Sequence, residues 1–178
     1  MIVINLFGVP GAGKSTGAAY IFSQLKMHGI NAELITEFAK DKVWESNEEV
    51  FKNQAYIFGK QSFKMSRCKN KVDVIITDSP LLLSAFYNKD EILGEDFNKV
   101  VNNVFQSYNN RNYLILRTKP YNPIGRNQTQ EESDALAEPM KKLLLKYHVD
   151  TEFIAGEVEG YNKIVNQILK ELKGWNIK

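Results

Sequence analysis

The chain has 178 residues, 43% of them hydrophobic, and its Lys+Arg 23 against Asp+Glu 21 leave a net charge of only +2. That length bounds residues 1–178 to a single domain with a buried core, and no apolar run approaches a bilayer span. The near-neutral balance, spread along the chain, disfavours DNA as a partner. The single cysteine, Cys68, excludes an intrachain disulfide and points to a reducing cytoplasm.

The opening "MIVINLF" is short and β-branched, so Ile2–Phe7 reads as a buried first strand rather than a signal peptide. A helix is expected from Lys14 to His28, ended by Gly29 as a C-terminal cap. The second strand follows at Ala32–Glu37. "SNEE", residues 46–49, has the form of a capping box opening a helix that runs to about Asn70. The third strand is Val72–Thr77, and residues 86–94 read as irregular. A further helix covers Glu95–Tyr108, and the fourth strand is Tyr113–Arg117. "TQEE", residues 129–132, is a second capping box, starting a helix that ends near Tyr147. The last strand, Thr151–Ile154, precedes a helix over Tyr161–Lys173. Apolar strands alternating with helical periods predict an α/β protein with a five-stranded parallel sheet covered on both faces.

Residues Gly8-Val-Pro-Gly11-Ala12-Gly13-Lys14-Ser15, with Thr16 next, satisfy G-x-x-x-x-G-K-[ST] between a strand and a helix. Glycines let the backbone turn its N–H groups toward phosphate oxygens, and the following helix adds its positive end. Lys14 would reach the terminal phosphates of ATP, and the Ser15 hydroxyl would ligate Mg²⁺. Asp78, ending the third strand, is placed to hold the metal as well, or else caps the following helix. Ser79 and Pro80 follow it, so no adjacent carboxylate can polarise a hydrolytic water, which disfavours a motor ATPase. A D-x-x-G switch is absent after the third strand, which disfavours a GTPase.

What remains is transfer to an acceptor. Glu37, at the end of the second strand, could orient or deprotonate an acceptor hydroxyl, and Asp41 is the alternative base. Trp44 either packs or walls the acceptor pocket. Gln54, Phe58 and Gln61 recur at helical spacing, giving either a base-reading face or a buried aromatic stripe with two surface glutamines. Of the four arginines (Arg67, Arg111, Arg117 and Arg126), Arg117 precedes and Arg126 lies within the segment 118–130, a candidate lid. Arg117, Lys119 and Arg126 would close over the transferring group. His28 and His148 read as surface residues without metal-ligand spacing.

The loop, Asp78 and the arginine-bearing segment resemble the P-loop nucleoside and nucleotide kinases, which implies a three-layer P-loop kinase fold with a short lid. Glu37 with Trp44 downstream is similar to the catalytic glutamate and nearby tryptophan of deoxynucleoside kinases, although Asp78-Ser79-Pro80 stands where those enzymes carry E-R-S. "ITDSPLLL" and "KPYNPIGRNQTQEE" resemble small bacteriophage P-loop proteins labelled ATP-binding or AAA-domain, a group similar to ribosylnicotinamide kinases. The resemblance implies a kinase using ATP and Mg²⁺ on a small-molecule acceptor, a nucleoside or nucleotide first, in the host cytoplasm if phage-encoded. Its alternatives are a kinase of a hydroxymethylated base in phage DNA and a nucleotide-sensing protein with slow ATPase activity. Oligomeric state stays open, a homodimer included.

Overall fold

The computed structural model describes residues 1–38, 50, 53–124 and 128–175. Five strands, β1 (Ile2–Phe7), β2 (Ala32–Ile35), β3 (Val74–Thr77), β4 (Asn109–Leu116) and β5 (Glu152–Ala155), form one sheet in the order β2-β3-β1-β4-β5. Every pairing is parallel. The described helices are α1 (Lys14–Met27), α2 (Gln54–Ser66), α3 (Leu83–Tyr87), α4 (Gly94–Gln106), α5 (Gln130–Ala135), α6 (Ala137–Lys146) and α7 (Val158–Trp175).

The alternation of β1 builds two cores. Ile2, Ile4 and Leu6 meet Ile21 and Leu25 of α1 and Ile164 and Ile168 of α7. Val3 and Phe7 face the opposite layer, where Met65, Val101, Phe105, Met140 and Leu144 come from α2, α4 and α6. Helices thus cover both faces of the sheet, as a parallel sheet requires. No helix among the described residues is long and apolar enough to cross a membrane.

Several boundaries differ from the sequence expectation for identifiable reasons. The fourth strand begins at Asn109, earlier than the apolar run suggests, because "NNRN" pairs with β1 from Ile2↔Asn109 onward. Its amides are used inside the protein: Asn5, fully buried, donates to Asn110 Oδ1 at 2.8 Å and Asn112 Oδ1 at 3.0 Å. The "TQEE" box forms as expected, with Thr129 Oγ1 accepting from Glu132 N–H at 3.2 Å and Glu132 returning the bond to Thr129 N–H at 2.8 Å. The helix it starts breaks after Ala135, however. Pro139 has no N–H and its ring excludes the carbonyl four residues back, which is that of Ala135. The "SNEE" segment lies outside the described residues; α2 itself is capped by Asn53, whose side chain accepts from Tyr56 N–H. It stops short of Asn70, which takes a left-handed φ of 62°. The stretch read as irregular holds the end of α3, a five-residue helix without a side-chain cap.

Gly156, just past β5, lets two backbones touch. A Cβ there would lie 2.4 Å from the Ala12 carbonyl oxygen and 2.7 Å from that of Leu116, and backbone atoms cannot swing aside. Gly156→Ala is expected to destabilise the fold by about 1–3 kcal/mol. That lowers the melting temperature by about 2–12 °C for a domain of this size, measurable by calorimetry; an unchanged midpoint would contradict the contact.

Candidate active site

The loop between β1 and α1 opens at the C-terminal edge of the sheet. Gly13 adopts φ 101°, and the first turn of α1 has neither an acidic residue nor a side-chain cap. Its positive end and first amides are therefore directed at whatever the loop encloses. Lys14 curls back within the same loop, its ammonium donating to the carbonyls of Gly8 at 2.8 Å and Val9 at 3.1 Å. Gly11, Ala12, Ser15 and Thr16 complete the turn into α1.

Because β3 lies directly beside β1, Asp78 emerges next to this loop. It is 3% exposed, and its Oδ1 accepts the Glu37 N–H at 3.0 Å. The expected second strand reached Glu37, but β2 ends at Ile35, and this bond is what fixes the backbone beyond it. Gln61 reinforces the same junction. Its amide nitrogen lies 3.4 Å from Thr77 Oγ1 and 3.3 Å from the Ser79 carbonyl, while its oxygen is 3.4 Å from Phe38 N–H. Three long bonds hold the exits of β2 and β3 together.

The glutamines of α2 are not surface residues: Gln54 is 6% exposed and Gln61 3%. Phe58, by contrast, turns into the packing between helices, edge-on to Phe97 of α4 with centroids 5.8 Å apart. Tyr87, at the end of α3, was not expected at the site. Burial, aided by the negative charge of Glu37, pushes its hydroxyl pKa up to about 12, so it stays a neutral donor in neutral solution. Nothing in the "LSAFYN" pattern marked it, because its meeting with Glu37 depends on the turn at Pro80.

Arg117 reaches the phosphate loop differently from the expected closure. Its guanidinium donates to Asp134 Oδ1 at 2.7 Å, Ser133 Oγ at 2.6 Å and the Pro10 carbonyl at 3.1 Å. Ser133, fully buried, itself donates to the Pro10 carbonyl at 2.8 Å. The arginine thus ties α5 to the loop tip. The ring of Tyr121 lies 5.1 Å from the guanidinium and packs on Gly11, where a Cβ would sit 2.8 Å from Cδ2. The Tyr121 hydroxyl donates to the Gln128 carbonyl. Lys119 is exposed, and Asp41, Trp44 and Arg126 lie outside the described residues.

On the other side, Tyr161 of α7 donates to the Gly13 carbonyl at 3.0 Å, and its ring fills the space a side chain on Gly17 would take. Thr118 closes the edge through the Gly156 carbonyl at 3.2 Å. His28 and His148 are exposed, as expected, and no three His, Cys, Asp or Glu side chains cluster as a metal cage among the described residues. Asn70-Lys71-Val72-Asp73 spells the N-K-x-D guanine pattern, but it forms the turn entering β3, at the opposite end of the sheet from the loop.

A glycine-turned loop between a central strand and a helix, flanked by a buried strand-end aspartate, defines a P-loop α/β protein. The family described as AAA domain matches residues 3–159, and the chain belongs to it. No curated protein matches. Among solved structures, the deoxyadenosine kinase from M. mycoides with bound dATP is similar, at 21% identity and a TM-score of 0.58, covering 96% of this chain and 99% of that one. The fold is accordingly that of the P-loop nucleoside kinases.

The tie between α5 and the loop is open to direct measurement. Ser133→Ala removes a fully buried hydroxyl that donates to the Pro10 carbonyl and accepts from Arg117, and is expected to cost about 1–3 kcal/mol in urea unfolding. A midpoint equal to that of the parent protein would mean the tie contributes nothing.

Proposed function

We propose that the protein is an ATP- and Mg²⁺-dependent phosphotransferase acting on a hydroxyl of a small acceptor, a nucleoside or nucleotide. The observation that carries this reading is the Asp78–Glu37 arrangement. The carboxylate beside the phosphate loop is not followed by a second one; it holds the backbone of an acidic residue just past the end of β2, whose charge is felt by the buried hydroxyl of Tyr87. A water-activating ATPase needs its base at the terminal phosphate, whereas a kinase needs it across an acceptor.

The residues present suit the group. A hydroxyl and a carboxylate, Ser15 and Asp78, match Mg²⁺, which takes few protein ligands and keeps water and phosphate oxygens around it. When bound, the magnesium nucleotide supplies the transferable phosphoryl group. The loop amides of Gly8–Thr16 and the Lys14 ammonium bind and neutralise the phosphates. Glu37, or Asp41 in its place, orients the acceptor hydroxyl and takes its proton, while Tyr87 donates to an acceptor oxygen. Arg117 brings positive charge to the loop tip while bonded to α5, and Arg126 would add to it as the sequence suggests. Gln54 and Gln61 border the acceptor side, Phe58 backs it, and Trp44 would wall it as the sequence suggests. The dATP-bound kinase of similar fold supports a nucleotide donor and a nucleoside acceptor.

A transfer assay with labelled ATP, Mg²⁺ and a panel of nucleosides and monophosphates tests the proposal. Labelled acceptor is the expected product; label appearing only as free phosphate, at one slow rate with every acceptor, would instead favour a nucleotide sensor. Lys14→Ala should abolish transfer. Glu37→Gln should slow turnover by about 10²–10⁴-fold while leaving ATP affinity nearly unchanged; a normal rate would remove Glu37 from the proton-accepting role.

A further inference from the structure

The weak net charge conceals a local concentration. Residues 53–72 contain Lys60, Lys64, Arg67, Lys69 and Lys71 and no aspartate or glutamate. On α2 and its C-terminal cap, Tyr56, Lys60, Phe63 and Arg67 follow at spacings of four, three and four, so they share one face. That face is turned outward: Phe63 is 67% exposed and Tyr56 42%. The cations lie among the rings rather than on a separate side. Lys60 Nζ is 5.4 Å from the Tyr56 ring centroid and Lys64 Nζ is 5.7 Å from that of Phe38, which meets Tyr56 edge-on at 5.5 Å. Among the described residues the cations of this face have one acidic contact, the exposed Glu33 at 3.9 Å from Arg67, and such pairs contribute little.

We propose that this face of α2 is a docking surface for single-stranded nucleic acid, running to the mouth of the site at Glu37. Large exposed rings are costly in water and of most use to a partner with flat apolar faces of its own; unstacked bases present such faces, and a duplex hides them. The alternating cations supply the phosphate contacts. A membrane-surface helix would segregate its rings from its lysines, which this one does not. The stripe covers 12 residues, Tyr56–Arg67, and about 16 Å of helix, room for a short run of nucleotides. Lys64 anchors its upper end by donating to the Thr36 carbonyl at 3.3 Å, one residue before Glu37. A strand lying on α2 therefore passes the chain leaving β2 one residue from Glu37, and a hydroxyl carried on that strand becomes a candidate acceptor. Binding stands independently of the chemistry; the link to transfer depends on the kinase reading above.

The test is fluorescence anisotropy of the full chain with a labelled oligo(dT) of about 15 nucleotides, titrated from about 50 to 200 mM salt. Saturable binding is expected, with a log–log salt slope near −3 for about four phosphate contacts at −0.7 each. Phe63→Ala should weaken it by about tenfold, the loss of one stacked base. Lys60→Glu with Arg67→Glu should both weaken it and flatten the slope. Both variants alter exposed positions, and matching melting curves would confirm that they fold. Absence of binding at low salt, binding indifferent to Phe63→Ala, or equal affinity for heparin, duplex DNA or anionic vesicles would each overturn the proposal. The unsubstituted protein, assayed for both oligonucleotide binding and phosphoryl transfer, separates the two readings. Oligonucleotide binding that persists while no acceptor is ever phosphorylated sinks the kinase alone. Nucleoside phosphorylation without oligonucleotide binding sinks the docking surface alone.

Discussion

A loop that turns its N–H groups inward, toward an anion, turns its carbonyls outward, and those carbonyls need donors. In this protein the donors come from every part of the chain that adjoins the loop. Lys14 serves Gly8 and Val9, Ser133 and Arg117 serve Pro10, and Tyr161 serves Gly13. The Ala12 carbonyl faces the bare Cα of Gly156. The outer surface of one short turn thus decides where α5, α7 and the end of β5 must lie. The site is held from outside by the groups that its own backbone leaves unsatisfied.

The same economy explains the acceptor side. With β3 between β1 and β2, a single buried carboxylate at its end stands between the phosphate loop and the chain leaving β2. Asp78 can face the loop while fixing the main chain of Glu37, and Gln61 spans the two strand ends from below. Charge is arranged in tiers: a cationic loop and helix terminus, an anionic middle, then the neutral phenol of Tyr87, whose pKa burial pushes up to about 12.

What could be read from the residues follows from how local each feature is. The phosphate loop, the first strand and the "TQEE" cap depend on neighbours a few residues apart, and they lie where spacing put them. The break after Ala135 was equally local, since Pro139 announces it. The polar opening of β4 was not, because its asparagines have no reason to be in a strand until Asn5 is seen opposite them. Tyr87, Tyr161 and Ser133 were missed for the same reason: each acts on a carbonyl or carboxylate far away in sequence. Gln61 and Phe58 show the limit within one helix. Periodicity put both at one helical spacing, but only packing decides that one clasps strand ends and the other meets Phe97.

The buried amides shared by β1 and β4 have a bearing on assembly. Apolar strands are indifferent to which partner residue they meet, and a sheet of Ile, Val and Leu can zip up in several frames. Asn5 carries a signature that only one alignment satisfies, since a shift by one residue turns its amide away from Asn110 and Asn112 and into hydrocarbon. The cluster forgoes some cohesion in return for an address. It rejects misaligned pairings of two segments more than a hundred residues apart, at the strand whose end becomes the phosphate loop.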